Sequence, residues 1–343
     1  MKHPTISDVA ALAGVSKSTV SAVLNNRDTL RESTRRSVMK AIEQLNYRPS
    51  PAARRRFRPT ASRTISLIVK EIQNPYYAEI FTGVQEVAHE HGYLVSVSSS
   101  EGQFDVERRL VEQAAEQHLD GLIVAPILND DTDLSHIFEM KRARIPFVLL
   151  EDVRGIRANL VDVDNIRASA EAVRYLIRQG HSRIIHLAGP SYSQHSEERA
   201  EGVRRAFSES HLIFDHGMVV NAGDSLEDGY RAGLEYFSQV AAEERPTAVT
   251  CYNDLVALGL MRALRELGIC VPADVSVIGF DDLPILDYFP LALTTVHVPK
   301  KEMGRRAAEM LIQQISSRAD PTFEKVHLDA SLVVRDSTRA LNG

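Results

Sequence analysis

The tightest constraint on this chain lies between Thr5 and Asn26, TISDVAALAGVSKSTVSAVLNN, where two short amphipathic runs flank a single glycine. Ile6, Val9, Ala10 and Ala13 recur at helical spacing before Gly14, as do Val15, Val20, Val23 and Leu24 after it. A glycine there suits a left-handed turn, so the runs are predicted to meet as a helix-turn-helix. Thr5 is placed to cap the first helix, with Asp8 at the capping-box position, and Ser16 to cap a second from about Lys17 to Asn25. In helix-turn-helix geometry the N-terminal end of the second helix, which here carries Lys17, Ser18 and Thr19, is the part expected to meet base edges in the major groove. An ordinary helical hairpin with a solvated polar face carries the same pattern, so the rest of the chain must discriminate.

Charge does so. The whole chain of 343 residues has a net charge of −6, but residues 1–60 hold 12 Lys and Arg against 4 Asp and Glu, a net of +8. The remainder holds 28 against 42, a net of −14. A basic head on an acidic body confines phosphate attraction to one end. The length allows two or three compact domains. No run of 18 apolar residues is present to cross a membrane, and the N-terminus lacks the apolar core of a secretion signal; a cytoplasmic location is the expectation. Cys251 and Cys270 sit in apolar segments without metal-ligand spacing and are expected to be buried small hydrophobes.

A third helix is predicted over Arg31 to Asn46, with Val38, Ile42 and Leu45 on its apolar stripe. Tyr47-Arg48-Pro49-Ser50-Pro51 ends it. The basic run AARRRFRP that follows has too little apolar surface to hold a helix alone. It is expected to order only with a twin from a second subunit and with DNA. From Ser62 the pattern becomes strand–helix alternation: strands at Thr64–Val69, Leu94–Val97, Gly121–Ala125 and Phe147–Leu150, helices at Tyr76–His91, Asp105–Gln117 and Leu134–Lys141. A second round begins near Asp162, with helices Ala168–Gln179, Glu198–Ser208, Leu226–Phe237 and Leu255–Leu267. Its strands are Ile184–Ala188, Met218–Asn221, Ala248–Tyr252 and Val275–Ile278. Such alternation implies parallel sheets covered on both faces, and two tandem α/β lobes face each other across a cleft where strand ends bind ligand.

The ordered motifs ISDVAALAGVSKSTVSAVLNN, LNYRPSPAAR, NPYYAEIF, HGY, DGLIVAP, IPFVLLED, VDVDN, HLAGP, YNDLVALGLMRAL, VIGFDD and LTTV make the chain resemble the LacI/GalR family of bacterial transcriptional regulators over nearly its whole length. The resemblance implies an all-α helix-turn-helix head (1–48), a hinge helix and linker (49–61), and a two-lobed α/β core (62–343) with parallel sheets, like a periplasmic binding protein. It assigns about 62–161 and 293–317 to lobe 1, and about 162–290 and 324–343 to lobe 2.

Carried over residue by residue, the resemblance puts base-edge readers at Lys17, Ser18 and Ala22 and phosphate contacts at Thr19, Ser21, Asn25 and Ser50. Ala22 is too short for a direct polar base contact. The hinge contributes Ala53, Arg54, Arg55 and Arg56. The family has a leucine wedge where Arg56 stands; either the guanidinium enters a narrow minor groove or Phe57 is the wedge. For the effector cleft the resemblance names Tyr76, Tyr77 and Glu151 from lobe 1 and Ser193, His195, Arg199, Asn253 and Asp281 from lobe 2, each in a loop past a strand, with Leu226 as an apolar wall. Aromatics stack on rings, carboxylates accept from hydroxyls, and Arg199 forks onto oxygens. A sugar or sugar derivative is the expected effector, and a sugar acid, phosphosugar or nucleobase fits the same residue types.

Enzyme signatures are missing. No GxGxxG or GxxxxGK[ST] follows a strand, Gly189-Pro190-Ser191-Tyr192-Ser193 is not GxSxG, and His89-Glu90-His91 lacks metal spacing. No catalytic residues, metal or cofactor are therefore expected. The expectation is a homodimeric repressor, without a coiled-coil tail, on a near-palindromic operator, with ligand and DNA affinities reciprocally coupled.

Overall fold

A computed structural model describes residues 5–24, 31–45, 47, 62–128, 133–142, 144–288, 292–317 and 323–341. Two compact units result, residues 1–62 and 63–343.

In the first unit α1 (Ile6–Ala13), α2 (Lys17–Leu24) and α3 (Glu32–Gln44) enclose a small core of Val9, Ala10, Val20, Val23, Val38 and Ala41. Asp8 accepts from the Thr5 backbone N–H and hydroxyl, both at 2.7 Å. Gly14 takes φ +65°, and Val15 N–H closes onto the Ala10 carbonyl at 3.0 Å, so the left-handed C-cap ends α1 and aims α2. Ser16 Oγ accepts the Thr19 N–H at 3.1 Å, capping α2. Tyr47, read from sequence as part of a helix-breaking run, is buried in this core. Asn25, Ser50, Ala53, Arg54, Arg55, Arg56 and Phe57 lie outside the described residues.

The second unit carries two six-stranded sheets. Its elements in order are β1 (Thr64–Val69), α4 (Pro75–Glu90), β2 (Leu94–Ser99), α5 (Phe104–Glu116), β3 (Gly121–Val124), α6 (Ser135–Arg142), β4 (Phe147–Leu149) and β5 (Asn159–Val163). There follow α7 (Asn165–Arg178), β6 (Ile184–Ala188), α8 (Gln194–Ser208), β7 (Val219–Asn221), α9 (Leu226–Gln239), β8 (Ala248–Cys251), α10 (Asp254–Glu266) and β9 (Ser276–Asp281). The last are β10 (Thr294–His297), α11 (Lys300–Ser316), β11 (Lys325–Leu328) and β12 (Ser331–Val333). The first sheet runs β11-β5-β4-β3-β1-β2, all parallel; the second runs β12-β10-β9-β8-β6-β7, with β12 alone antiparallel. The inner strands are buried on both faces, which is why they read as continuous apolar runs.

This topology corrects the expected division of the lobes. Thr294–His297 pairs with β9 and belongs to lobe 2, whereas Lys325–Leu328 pairs with β5 and belongs to lobe 1. Only α11 of the 293–317 segment packs on lobe 1, against α4. The chain therefore crosses between lobes at Asp164, Val298–Pro299 and Asp329–Ala330. Arg167 joins the first and third crossings through a 2.8 Å bond to Asp329. Cys251 is buried as expected but Cys270 is exposed. No described helix is long and apolar enough to cross a membrane.

Gly83 and Gly304 let α4 and α11 touch backbone to backbone: a Cβ on Gly83 would lie 2.0 Å from the Lys301 carbonyl oxygen, and one on Gly304 2.0 Å from that of Ile80. Neither helix backbone can yield cheaply. Gly304→Ala should destabilise the protein by about 1–3 kcal/mol, read as a lower urea midpoint with an unchanged m-value; an unshifted midpoint contradicts this close packing.

Candidate functional site

The carboxyl ends of both parallel sheets converge, and each presents charged groups there. Lobe 1 supplies Lys70 and Glu71 after β1, Tyr76 and Tyr77 on the first turn of α4, Glu151 after β4, and Asp162 in β5. Lobe 2 supplies Tyr192 and Ser193 after β6, His195 and Arg199 on α8, Asp224 after β7, Tyr252 and Asn253 after β8, and Asp281 closing β9.

A buried chain of polar contacts links the lobes. Lys70 Nζ pairs with Glu151 and donates to Ser193 Oγ at 3.0 Å. Glu151 accepts the Gln194 N–H at 3.1 Å and lies 3.5 Å from His195 Nδ1, while His195 Nε2 meets the two Asp162 oxygens at 3.0 and 3.1 Å. Burial pushes the Glu151 carboxyl up, but His195 and Lys70 more than reverse that and hold it below its ordinary value. Burial pushes His195 down, and Asp162 and Glu151 overcome it, so the imidazole titrates above its ordinary value. Glu198 is raised, by burial first and then, against the lowering by His195, by Asp162 and Glu151.

Arg199 is fixed on all sides. Its Nε donates to Asn165 Oδ1 at 3.1 Å, one terminal nitrogen donates to the Tyr252 carbonyl, and the other lies 3.8 Å from Asp281. The guanidinium stacks 3.6 Å from the Phe280 ring centroid. Burial raises Asp281 to about 6, although Arg199 and Lys300 both pull it down. Asp281 has φ +116° and Asp282 φ +58°, costly conformations for non-glycine residues. Lys300 holds them by donating to both carbonyls at the second crossing, and Arg335 pairs with Asp282 at 2.8 Å.

Several expected site residues sit differently from the sequence reading. His195 lies on a helix that starts four residues before the expected Glu198, and Asp281 ends a strand instead of lying in a loop, whereas Tyr76, Tyr77 and Arg199 fall in the helices expected from their spacing. Asn253 caps α10, accepting Val256 N–H at 2.8 Å, while its amide donates to the Asp224 carbonyl at 2.8 Å. Tyr76 and Tyr77 are each only 7 % exposed and pack edge-to-face at 5.2 Å. Leu226 stands half exposed on α9 and forms no closed wall. A cavity of about 740 Å³ opens between Leu128, Asp152 and Arg154 of lobe 1 and Ser191, Gln194 and Glu197 of lobe 2; of the expected residues it touches only Ser193. Lys70, Glu71, Asp162, Tyr192, Asp224, Tyr252 and Phe280 were not anticipated. Lys70 and Asp162 carry a legible signal, since a charge within or ending an apolar strand run needs a buried partner.

In the first unit, Lys17 and Ser18 are exposed at the start of α2, and Thr19, Ser21 and Ala22 are half-buried along it. The Ser16 hydroxyl bonds to those of Ser18 at 2.6 Å and Thr19 at 2.9 Å.

Residues 5–50 match the family model described as bacterial regulatory proteins, lacI family, and residues 173–338 match a periplasmic binding protein-like domain. Over 341 residues the chain is 35 % identical to the HTH-type transcriptional repressor PurR of Vibrio atlanticus, covering 98 % of this chain and 99 % of that one. Among solved structures it is similar to a transcriptional regulator CelR–cellobiose complex, at 31 % identity and a TM-score of 0.73, covering 97 % of this chain and 99 % of that one. It is also similar to the lac repressor dimer bound to operator and the anti-inducer ONPF, at 26 % identity and a TM-score of 0.72, covering 99 % and 100 %.

The buried Lys70–Glu151 pair, which lies within lobe 1 and anchors the polar chain on that face of the cleft, can be checked directly. Lys70→Met leaves a carboxylate without its cation and should cost about 3 kcal/mol of unfolding free energy, whereas Lys70→Met with Glu151→Leu should regain most of it. Additive losses in chemical denaturation would contradict the pairing.

Proposed function

Because this chain belongs to the lacI family of bacterial regulatory proteins, we propose that it is a homodimeric repressor that places two heads on a near-palindromic operator and is controlled by an uncharged, hydroxyl-rich effector, a sugar or sugar derivative. Repression through a DNA-binding head and an effector-binding core is the family's function. To that function we add a symmetric operator, a dimer, the effector class, the individual contacts and a cytoplasmic location. No cofactor beyond the effector is needed, and no catalytic reaction is assigned.

One observation carries the effector class: the buried cations of the cleft are already matched. Lys70 is held by Glu151, His195 by Asp162, Arg199 by Asp281, and Lys300 lies 3.3 Å from Glu79. A phosphate or carboxylate would have to displace a carboxylate from a buried cation, which is costly. Hydroxyls can instead exchange with the existing hydrogen bonds of Arg199, Asn253 and Asp281. The two tyrosines, nearly buried, present little ring face for stacking a nucleobase. The CelR complex, at 31 % identity, holds the disaccharide cellobiose, which favours the same class.

On the DNA side, Lys17 and Ser18 are the base-edge readers of this proposal, Ala22 marks a lost polar contact, and Thr19, Ser21, Asn25 and Ser50 contact phosphates. Ala53, Arg54, Arg55 and Arg56 follow the minor groove. Lys17→Ala should narrow the affinity gap between a duplex selected from random sequence and its scrambled version by roughly tenfold or more, a loss of about 1–3 kcal/mol. Arg54→Ala should weaken both duplexes alike and flatten the salt slope by about one unit. Equal loss of discrimination in both variants contradicts the assignment.

The effector class is tested by thermal shift of the full chain with cellobiose, ribose, other neutral sugars, their phosphates and free nucleobases. A neutral sugar at about 100 times its Kd should add about 2.7 kcal/mol of stability, and Arg199→Ala should abolish the shift while leaving operator binding intact. A shift given only by phosphosugars or nucleobases contradicts it.

A further inference from the structure

The Tyr192 side chain is a tongue from lobe 2 inserted into lobe 1. A Cβ on Gly102, which has φ +66°, would lie 2.8 Å from its hydroxyl oxygen, and its backbone carbonyl accepts the Leu128 N–H of lobe 1 at 2.6 Å. At its tip the hydroxyl meets two carboxyl groups from opposite lobes, Glu71 at 3.0 Å and Asp224 at 2.8 Å. A phenol has one proton to donate. If it gives that proton to one carboxylate, the second contact is a hydrogen bond only when the other carboxyl carries a proton of its own and donates it.

We propose that closure of the two lobes takes up one proton, held where Glu71 and Asp224 meet on the Tyr192 hydroxyl, so that the cleft opens as pH rises. The proton comes from solvent and bonds to a Glu71 oxygen; no other bond is made or broken. Protonated Glu71 then donates to Tyr192, and Tyr192 donates to Asp224. When the lobes part, Glu71 returns to water and releases the proton.

The surroundings support this placement. Among the described residues, the titratable and charged groups facing the pair are Lys70 and Tyr77 from lobe 1 and Tyr252 and Asp228 from lobe 2. Lys70 is engaged with Glu151, and Asp228 with Ser225 and Arg231. Burial raises both tyrosines, so neither ionises near neutrality. Burial first, then the Asp224 charge, lift Glu71 from its ordinary 4.5 to about 8 against the opposing pull of Lys70. The closed state binds the extra proton between those two values. Closure is therefore at full strength below about 4.5, weakens as pH rises through that window, and is weakest above about 8. Linkage of one proton changes the closing equilibrium by up to about tenfold per pH unit.

The test needs no effector, so it stands or falls separately from the effector class proposed above. Amide hydrogen exchange of the full chain, resolved to single residues and expressed as protection factors, is measured at pH 6, 7 and 8. The Leu128 amide, whose acceptor lies across the cleft, reports opening; the Leu122 amide, bonded to the Pro146 carbonyl within lobe 1, is the reference. Leu128 protection should fall up to about tenfold per unit while Leu122 stays constant, and Glu71→Gln and Asp224→Asn should each flatten the Leu128 profile. A flat wild-type profile, or a slope that survives in either variant, overturns the proposal.

Discussion

The path from Lys70 through Glu151 and His195 to Asp162 is the interaction on which the core's arrangement depends, because it is buried, alternates in sign along its length, and sets one lobe 2 imidazole between two lobe 1 carboxylates. Lys70, Glu151 and Asp162 belong to lobe 1, and His195 stands on the helix that begins lobe 2's face of the cleft. Buried ion pairs regain by attraction roughly what they lose in desolvation. Such a contact fixes geometry tightly while leaving closure close to balance. A small ligand with modest differential affinity can then shift the population, which is what reciprocal coupling requires.

Strain sits at the other end of the same surface. Asp281 and Asp282 hold left-handed backbone conformations beside Arg199 and the second crossing, and Lys300, Arg335 and His297 secure them. The arginine of the cleft is thus paired with a strained strand end that is itself tied to the second crossing segment. The cost of the strain is met by over-determination: Asp254 alone accepts from Leu283 N–H and the Thr295 hydroxyl, at 2.8 and 2.6 Å.

Much of this was legible in the residues. Gly14 between two apolar stripes fixed the head's turn, and the strand–helix alternation gave parallel sheets, because both patterns arise from periodicity within one element. Pairing across distant elements left weaker traces. Nothing in Leu-Thr-Thr-Val or Lys-Val-His-Leu says which sheet will accept each strand, which is why the expected lobes are reversed for these two strands while Ser331–Val333 lies in lobe 2 as expected. The start of α8 was hidden because Gln194 to Arg199 is almost wholly polar and its apolar stripe begins at Ala200. Tyr192 carries no local signal of its role, which depends on Glu71 and Asp224, each far away in sequence. Arg199 and Asp281 were legible as a site only through resemblance; their mutual engagement is a property of the fold.

The central claim is that one chain reads a symmetric DNA sequence with its basic head and alters that reading when a metabolite enters its cleft. Selection of the full chain on random duplexes, with and without a fractionated metabolite extract, measures this most directly. The account predicts enrichment of an inverted repeat with half-sites about one helical turn apart, and a yield that changes when one fraction is added. Enrichment of no inverted repeat, or a yield indifferent to every fraction, would contradict it.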